Sequence, residues 1–417
     1  MIYLDHNAGT PVRPEVLDAM ARASAELPGN PSSVHAAGRR ARHALEEARA
    51  QVAEFLGALP EEIVFTSGGT EANNLAVSGL AATAAGRGRR RIVTSPLEHP
   101  SVRGAVDVLA AGGAVAALVE VTGAGTITDA AFATALGADE ADSPGVVTLA
   151  LVNHELGNLY PIARLVAQAR ARGALFHTDA VQAAGKLRVD VRALDVDAAT
   201  ISAHKLGGPK GVGAVFIRRG LDLPPLLAGG HQERERRPGT ENLVGAVGFG
   251  VACQVAVAAR EEEARRFAQL RGVLLAGLAR VPRAVLLGQG ADAPGTATDG
   301  AGPTHVPGTI MVAFRGAPGQ LVVIGLDLEG ICVSTGAACS SGSLEPSQVL
   351  RGLGLDAESA AEGVRISFGW TTTADDVERL CAALPAIVER VRAAGAVPAA
   401  VSPPMGFAGG AAAGARA

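Results

Sequence analysis

Short apolar segments alternate with longer segments of helical spacing through most of this sequence. Residues 63–66, 146–152 and 198–202 are apolar at nearly every position. The stretches between such segments, for example 39–56 and 162–171, repeat their apolar residues with the period of an α-helix. Strands that are apolar on both faces and separated by helices are typical of a mostly parallel sheet covered by helices. The sequence therefore predicts an α/β fold.

Composition along the 417 residues divides the chain into regions. Residues 288–307 are rich in Gly, Ala, Pro and Thr, and this composition predicts a loop or domain connection. We expect an N-terminal segment over 1–15 that packs with a small domain, a large domain over 16–260, a smaller α+β domain over 261–397, and a disordered low-complexity tail over 398–417.

Charge and composition exclude several classes of protein. With 37 basic and 41 acidic residues the net charge is −4, which argues against nucleic-acid binding as the main function. The start of the chain has no basic and apolar signal-peptide pattern, so a cytoplasmic protein is expected. The apolar run 243–259 is short for a bilayer and leads into charged residues 260–263, so it is predicted to be a buried helix without membrane contact.

The four cysteines do not form a metal-binding or disulfide pattern. Cys253, Cys332, Cys339 and Cys381 include no C-x-x-C pair and no histidine at zinc-ligand spacing. We therefore expect no structural metal. Cys253 and Cys381 lie in helical apolar patterns, where a cysteine is usually a small buried hydrophobe. The surroundings of Cys339 are rich in Gly and Ser and have neither helical nor strand period.

Lysine is rare in this chain, and its placement points to chemistry. Only Lys186, Lys205 and Lys210 occur among the 37 basic residues. An arginine can carry surface charge, but it cannot form a Schiff base. Lys205 follows a predicted strand that ends at Ser202, the place where a parallel sheet presents residues to a ligand. Taken alone, a solvated lysine in a turn remains the commoner interpretation.

Two further segments supply what a phosphorylated cofactor needs. Residues 66–71, Thr-Ser-Gly-Gly-Thr-Glu, follow a strand and open a helix, so that unpaired backbone N–H groups and hydroxyls form a candidate phosphate cradle. Thr70 could instead be a simple N-cap. Asp179 ends another strand, where it could hold a protonated pyridine nitrogen or cap a helix, and Gln182 could reach a ring oxygen. Together with Lys205 these parts indicate pyridoxal phosphate.

Long motifs then identify a resemblance. The sequence resembles the cysteine desulfurases of the class V aminotransferase family, in the type that has a long mobile active-site loop. The resemblance covers about residues 2–393 and implies the pyridoxal-phosphate fold type I. Its motifs are residues 3–8, 29–35, 66–73, 95–99, 177–182, 202–211, 229–240 and 334–346, together with Arg365.

The resemblance implies a role for each matching residue. Lys205 would hold the cofactor and carry the substrate α-proton, and His99 would stack on the cofactor ring and assist that transfer. Asp179 and Gln182 would contact the ring, and Arg365 and Asn30 would bind the substrate. The phosphate would be held by Gly69, Thr70, Ser202 and His204, with Thr240 reaching in from the second subunit of a homodimer.

Cys339 would be the nucleophile of this reaction. Its thiolate would take sulfur from L-cysteine as a persulfide, and L-alanine would be released. A Gly- and Ser-rich loop over 334–346 gives a thiolate the reach and exposure that attack on sulfur needs. The persulfide would then pass to a sulfur-acceptor protein, such as an iron-sulfur scaffold or a tRNA-thiolation enzyme. A transient contact of Cys339 with an iron-sulfur cluster is compatible with this role.

Two departures from the family pattern leave alternatives open. His154 stands where the family usually has an Asn that contacts cofactor or substrate, and we expect it to donate a hydrogen bond there. The tail over 398–417 is unlike the segment that long-loop relatives present to scaffold proteins. A selenocysteine lyase or another class V enzyme is a second interpretation, although it would not need Cys339. A non-catalytic sulfur-carrier protein is a third, although it would be expected to lose Lys205 or Cys339.

Overall fold

The computed structural model describes residues 1–139, 143–288, 304–336 and 346–395. Within these ranges the strands are β1 (Ile2–Tyr3), β2 (Ile63–Thr66), β3 (Arg91–Thr94), β4 (Val115–Leu118), β5 (Val146–Ala150), β6 (Leu175–Asp179), β7 (Ala198–Ser202), β8 (Gly213–Ile217), β9 (Ala284–Leu287), β10 (Thr309–Phe314), β11 (Ile331–Cys332) and β12 (Gly363–Ser367). The helices are α1 (Pro14–Glu26), α2 (Ala36–Leu56), α3 (Gly69–Ala85), α4 (Pro100–Ala111), α5 (Asp129–Ala135), α6 (Ile162–Ala171), α7 (Val191–Leu194), α8 (Leu243–Leu278), α9 (Gly319–Leu328), α10 (Gln348–Gly352), α11 (Ala357–Ala361) and α12 (Ala374–Gly395).

A central sheet organises the first part of the chain. Strands β4, β3, β5, β6 and β7 lie side by side in that order and run parallel. β8 then pairs antiparallel with β7, and β2 pairs antiparallel with β8, so β2 runs in the same direction as β7. Residues 203–212 between β7 and β8 are too few for a helical crossover, and the chain therefore turns back. The predicted α/β fold with a mostly parallel sheet is confirmed.

Side chains that alternate along the strands contribute to two cores, one on each face of this sheet. In β8, Ala214 and Phe216 join the core that α2 and the first half of α8 cover. Val215 and Ile217 join the core that α3 covers on the opposite face. Successive side chains of a strand point to opposite faces, and both faces are buried here. This explains why most positions of the inner strands are apolar.

A further core lies beyond the central sheet. It joins the sheet of β9, β10 and β12 with α9, α12 and the second half of α8. The N-terminal segment belongs to this core, because Ile2 and Leu4 are buried in it and β1 pairs in parallel with β11. Residues 289–303 of the predicted connection and all of the tail over 398–417 lie outside the described residues.

Helix α8 runs through both parts of the chain without interruption. Phe249 and Cys253 are buried in the first core, whereas Phe267 and Leu274 are buried in the second. The boundary proposed at residue 260 therefore lies within one continuous helix, not in a linker. By length and composition alone α8 could cross a membrane, but half of its most apolar stretch is buried against other elements of the chain. We interpret α8 as the buried helix that the sequence predicts.

The sequence analysis missed several elements and predicted others to be longer than they are. Residues 115–121 and 146–152 are predicted as strands, but β4 ends at Leu118 and β5 at Ala150. After Ala150 the chain leaves the sheet and turns towards the cavity described below. The sequence pattern did not indicate α1, α5, α7, α10 or α11, nor the short strands β1, β9 and β11.

Candidate active site

A cavity of about 300 Å³ opens at the edge of the central sheet where the parallel strands end. Parallel strands place their carboxyl-terminal residues at one edge, which is where α/β sheets bind ligands. The cavity is lined by ten of the residues named from the sequence, namely Gly69, Thr70, His99, His154, Asp179, Gln182, Ser202, His204, Lys205 and Arg365. The structure therefore brings most of the sequence-predicted site residues around one cavity.

The amino terminus of α3 forms one end of this cavity. Its N-cap residue is Gly68, and no side chain caps the helix. A Cβ added at Gly69 would lie 3.6 Å from the Cβ of Ser202, so the start of the helix passes close to the end of β7. The Ser202 hydroxyl and Nδ1 of His204 lie 3.0 Å apart beside it. Backbone N–H groups at a helix start, together with hydroxyls, suit a phosphate group.

Asp179 is held in place at the end of β6. One of its carboxylate oxygens accepts a hydrogen bond from the Asn73 side-chain amide at 2.8 Å, and the other accepts from the Val181 backbone N–H at 2.9 Å. The same Asn73 amide donates to the Ser101 hydroxyl at 2.9 Å. A buried carboxylate oriented in this way can hold a protonated pyridine nitrogen in the cavity.

A second carboxyl group, that of Glu98, lies near Asp179. Glu98 is 3% exposed, and burial, together with the negative charge of Asp179, raises its pKa to about 8. Its Oε1 accepts a hydrogen bond from the Ala150 backbone N–H at 3.1 Å. Glu98 is therefore predominantly protonated at neutral pH.

Lys205 lies in a turn directly after β7 and points to the N-terminal segment. Its Nζ donates to the backbone carbonyls of Asn7 at 2.5 Å and Ala8 at 2.9 Å. The side-chain amide of Gln182 also donates to the Asn7 carbonyl, at 2.9 Å. The N-terminal segment thus forms part of the site and brings Lys205 and Gln182 to one acceptor.

Lys186 fixes the orientation of two amides behind the cavity. Its Nζ donates to Oε1 of Gln182 at 2.7 Å and to Oδ1 of Asn7 at 2.6 Å. Burial lowers the pKa of Lys186 well below its ordinary value, and the charges of Lys205 and Arg365 act in the same direction. Because Lys186 occupies the Gln182 oxygen, the Gln182 nitrogen is left to donate on the cavity side.

Two histidine rings meet in the cavity. The rings of His99 and His154 lie edge to face, with centroids 5.1 Å apart. Burial is the main cause that lowers the pKa of both rings, so both are neutral at pH 7. Nδ1 of His99 accepts from the Ser101 backbone N–H at 3.1 Å, which places the proton of the neutral ring on Nε2.

Arg365 extends from β12 into the cavity. One guanidinium nitrogen donates to the His154 carbonyl at 3.1 Å, and the other donates to the Asp5 carboxylate at 2.9 Å. The residue is 3% exposed, and its Nε is buried without a hydrogen-bond partner among the described residues. A guanidinium with an unused donor suits the carboxylate of an amino-acid substrate.

Two of the predicted site residues, Asn30 and Thr240, are described by the structure and do not line this cavity. Cys339 lies outside the described residues. Asn30 is exposed between α1 and α2, where its side-chain oxygen accepts from the Ser32 backbone N–H. Thr240 is exposed and lines a separate cavity of about 150 Å³ with Ser67 and Arg237. Within one chain, therefore, the structure does not bring Asn30 or Thr240 to the site.

Sequence reasoning missed four residues that orient the site. Asn73 and Asn7 lie within the quoted motifs, but an amide in a motif does not reveal its partner. Ser101 follows the Leu-Glu-His-Pro segment directly, and Lys186 was named only for its rarity. A rare lysine four residues after Gln182 was the available signal.

Comparison with known proteins shows which family this chain belongs to. The class V aminotransferase family matches residues 2–380. A cysteine desulfurase of Cereibacter sphaeroides is 43% identical over 397 residues, which cover 94% of this chain and 97% of that protein. An IscS-like cysteine desulfurase of Mycobacterium tuberculosis is 40% identical and covers 94% of this chain and 98% of its own length.

Solved structures agree with the sequence relatives. A NifS-like protein superposes with a TM-score of 0.83 at 33% identity and covers 93% of this chain and 99% of its own. The structure of SspA in complex with cysteine has a TM-score of 0.71 at 29% identity, with 89% of this chain and all of that one (100%) covered. The chain belongs to the class V aminotransferases, which are pyridoxal-phosphate-dependent. Within that family it is one of the cysteine desulfurases, and the resemblance predicted from the motifs is confirmed.

The residues present fit pyridoxal phosphate. The uncapped start of α3 offers N–H donors to a phosphate, and the buried Asp179 offers a carboxylate to a ring nitrogen. The Lys205 amine and the Gln182 amide line the same cavity. The side chain of Asn73 holds Asp179, and the oxygen of that side chain is buried without a hydrogen-bond partner among the described residues. The cavity therefore has an anion site at one end, and a carboxylate and an amine elsewhere along its lining.

Proposed function

We propose that this chain removes sulfur from L-cysteine, releases L-alanine, and passes the sulfur on through Cys339. The observation that carries the proposal is the placement of the Lys205 amine, the Asp179 carboxylate and the Arg365 guanidinium around one cavity. The relatives named cysteine desulfurases support the choice of substrate. A cysteine-bound relative of the same fold supports it as well.

Arg365 would bind the substrate first. Its partnerless Nε can pair with the carboxylate of L-cysteine, and its bond to Asp5 keeps the guanidinium oriented. Bound pyridoxal phosphate supplies an electron sink for the bonds at the substrate α-carbon. Lys205 accepts and returns the α-proton, and the Nε2–H of His99 donates a hydrogen bond to the reacting groups. Asp179 holds the ring nitrogen protonated.

Sulfur transfer then uses Cys339 as the nucleophile. Its thiolate attacks the substrate sulfur, an S–S bond forms, and the C–S bond breaks. The electron pair of that bond leaves with the carbon skeleton, which becomes L-alanine after protonation. Cys339 is left as a persulfide. The transferred sulfur can then pass to a second thiol, or to a protein that assembles iron-sulfur clusters or thiolates tRNA.

The proposed assembly is a homodimer in the cytoplasm. Thr240 is exposed and lines a separate cavity of its own chain. The same placement leaves its hydroxyl available to the phosphate site of a second copy, as the family resemblance implies. The sulfur acceptor would be a separate protein.

Replacing Cys339 separates the cofactor chemistry from sulfur transfer. Cys339→Ser should bind pyridoxal phosphate and respond spectrally to L-cysteine, yet form neither alanine nor persulfide, because a serine hydroxyl is not a sulfur nucleophile at neutral pH. In the wild type, labelling with a thiol-reactive probe after cysteine treatment should place the extra sulfur on the peptide of Cys339. Extra sulfur found on Cys332 instead would contradict the assignment.

A further inference from the structure

Glu155 is a buried carboxyl group beside the cavity that none of the roles above uses. It is 3% exposed, and burial raises its pKa to about 7. Its backbone N–H donates to the side-chain oxygen of Asn153 at 3.0 Å. The Asn153 amide donates in turn to the Leu97 carbonyl at 2.9 Å. The backbone that carries Glu155 is therefore held against the loop that follows β3.

One oxygen of Glu155 contacts the chain on both sides of residues 337–345. The Ser347 hydroxyl donates to Oε2 at 2.5 Å. A Cβ added at Gly336 would overlap the same oxygen, so the backbone at Gly336 passes directly against the carboxylate. Gly336 directly precedes residues 337–345, and Ser347 follows them by two positions. Two chain positions eleven residues apart are thus both in contact with one carboxylate oxygen.

The other oxygen of Glu155 faces the site. Oε1 lies 3.6 Å from Nε2 of His154, whose ring lines the cavity. The positive charge of Arg365 also acts on the Glu155 carboxyl. The side chain of Glu155 therefore stands between the cavity and both flanks of the segment that carries Cys339.

We propose that Glu155 is a positioning residue for sulfur transfer. It sets where the chain leaves Gly336 and where it returns at Ser347. It thereby determines how far Cys339 reaches towards the substrate sulfur. This inference rests on the proposed function, because it assigns Cys339 as the nucleophile. It uses only the contacts of the two flanking residues. A reacting group that is misplaced by a small distance loses large factors in rate, so holding both flanks controls the transfer step.

A purely structural role for Glu155 would give a different result. The Ser347 hydroxyl also accepts from the Leu350 backbone N–H at 3.0 Å and so caps α10. If Glu155 only supported this cap, its loss would lower stability and leave sulfur transfer unchanged. The neighbouring helix α11 offers a matched control, because Asp356 caps it through the Ser359 backbone N–H at 2.7 Å without contacting Glu155.

The test compares Glu155→Ala, Glu155→Gln and Ser347→Ala with Asp356→Ala in the pyridoxal-phosphate-loaded, full-length protein. In Glu155→Ala and Ser347→Ala, persulfide formation on Cys339 should fall about tenfold or more, since the transfer geometry is lost. The visible-spectrum change on adding L-cysteine should stay close to that of the wild type. Glu155→Gln keeps an oxygen acceptor for Ser347 and should restore most of the rate, and Asp356→Ala should transfer sulfur normally.

A second measurement does not depend on desulfurase chemistry. The rate at which iodoacetamide alkylates Cys339, measured on its peptide with Cys332 as internal reference, should change in Glu155→Ala and return towards the wild-type rate in Glu155→Gln. Should Glu155→Ala fail to fold, Ser347→Ala and Asp356→Ala carry the same comparison.

Two results would overturn the proposal. One is a wild-type persulfide rate and a wild-type alkylation rate in both Glu155→Ala and Ser347→Ala. The other is a lost spectral response to L-cysteine in Glu155→Ala, which would mean that Glu155 acts on the cavity itself. Failure of the proposed function is distinct, because then the wild type would form no persulfide while the alkylation rates still differ among the variants.

Discussion

Lys205 shows, at the scale of one residue, how the site depends on atoms that are far away in sequence. Its amine is 2.5 Å from the carbonyl of Asn7 and lies in the same cavity as Asp179 and Arg365. Lys210, only five residues further on, is exposed in a turn. The position of the amine, and not the presence of a lysine in the motif, therefore decides which lysine can act.

Removing the Lys205 amine should abolish covalent attachment of the cofactor. We expect Lys205→Ala to lose the yellow colour of the wild-type protein, because no other lysine among the described residues lines the cavity. Lys210→Ala is the matched control and should stay yellow. The measurement is the visible absorption spectrum after removal of free cofactor. Loss of colour in Lys210→Ala alone would contradict the assignment.

His154 is the residue at which this chain departs from its family pattern. Its ring lines the cavity and meets His99, so it does not point away from the site. If it donates a hydrogen bond to cofactor or substrate, His154→Asn should keep activity within about tenfold, or about 1.4 kcal/mol in barrier. His154→Ala should cost more, because an acceptor left unpaired in a buried site costs roughly 1 to 3 kcal/mol.

The two His154 variants are to be compared by steady-state kinetics, with cofactor content measured in each. Equal activity of His154→Ala and His154→Asn would show that the ring only packs in the cavity. A loss of cofactor from both would instead assign His154 to cofactor binding.

At the scale of elements, the start of α3 depends on a glycine in a neighbouring strand. A Cβ added at Gly213 of β8 would lie 2.7 Å from the backbone carbon of Gly68, the N-cap of α3. No room exists there for a side chain unless the start of the helix moves. The end of the cavity proposed to hold the phosphate is thus shaped by backbone packing between β8 and α3.

Gly213→Ala should therefore weaken cofactor binding. Overpacking costs about 1 to 3 kcal/mol, and here it would fall on the N–H groups that face the phosphate. Gly104→Ala is the control, because Gly104 is exposed within α4 and a Cβ there would meet nothing within 4 Å. The control should be neutral or stabilise the protein by about 0.5 to 1 kcal/mol. Titration with pyridoxal phosphate measures the difference, and equal affinities in the two variants would contradict the argument.

Periodicity predicts elements well where burial alone decides the residue type. β2, β7 and α6 have the predicted bounds, because each is a buried strand or a clearly amphipathic helix. β1 and β11 are two residues long and exist only because they pair with each other, which no local pattern reveals. Likewise the motifs name residues that line the cavity, whereas the roles of Asn7, Asn73 and Lys186 depend on partners that only the folded chain brings near.

At the scale of the whole molecule, the proposed dimer makes a prediction about mixed subunits. If Thr240 serves the cavity of the second copy, a heterodimer of Lys205→Ala and Thr240→Ala subunits has one complete site. That site uses Lys205 of the Thr240→Ala subunit and Thr240 of the Lys205→Ala subunit. Thr240→Ala alone should bind cofactor more weakly, because a hydrogen bond to a charged phosphate is worth about 1.5 to 3 kcal/mol.

The experiment mixes the two inactive or weakened variants and measures alanine formation at limiting cofactor. Activity should rise on mixing above that of either parent, and a mixture of Lys205→Ala with itself is the control. No gain on mixing, in a preparation shown to contain heterodimers, would place Thr240 outside the second site.

The pairing of the N-terminal segment has a consequence for the order in which this protein is made. Residues 2–7 leave the ribosome more than three hundred residues before their partners, because Ile2 and Tyr3 pair with Ile331 and Cys332, and the Asn7 N–H donates to the Ser367 hydroxyl at 2.9 Å. Chains generally fold domain by domain as they are synthesised. These pairs can therefore form only after residues 331–367 have been translated. Arg365 lies in the same late segment and lines the cavity, so a nascent chain can complete its central sheet before its active site is complete.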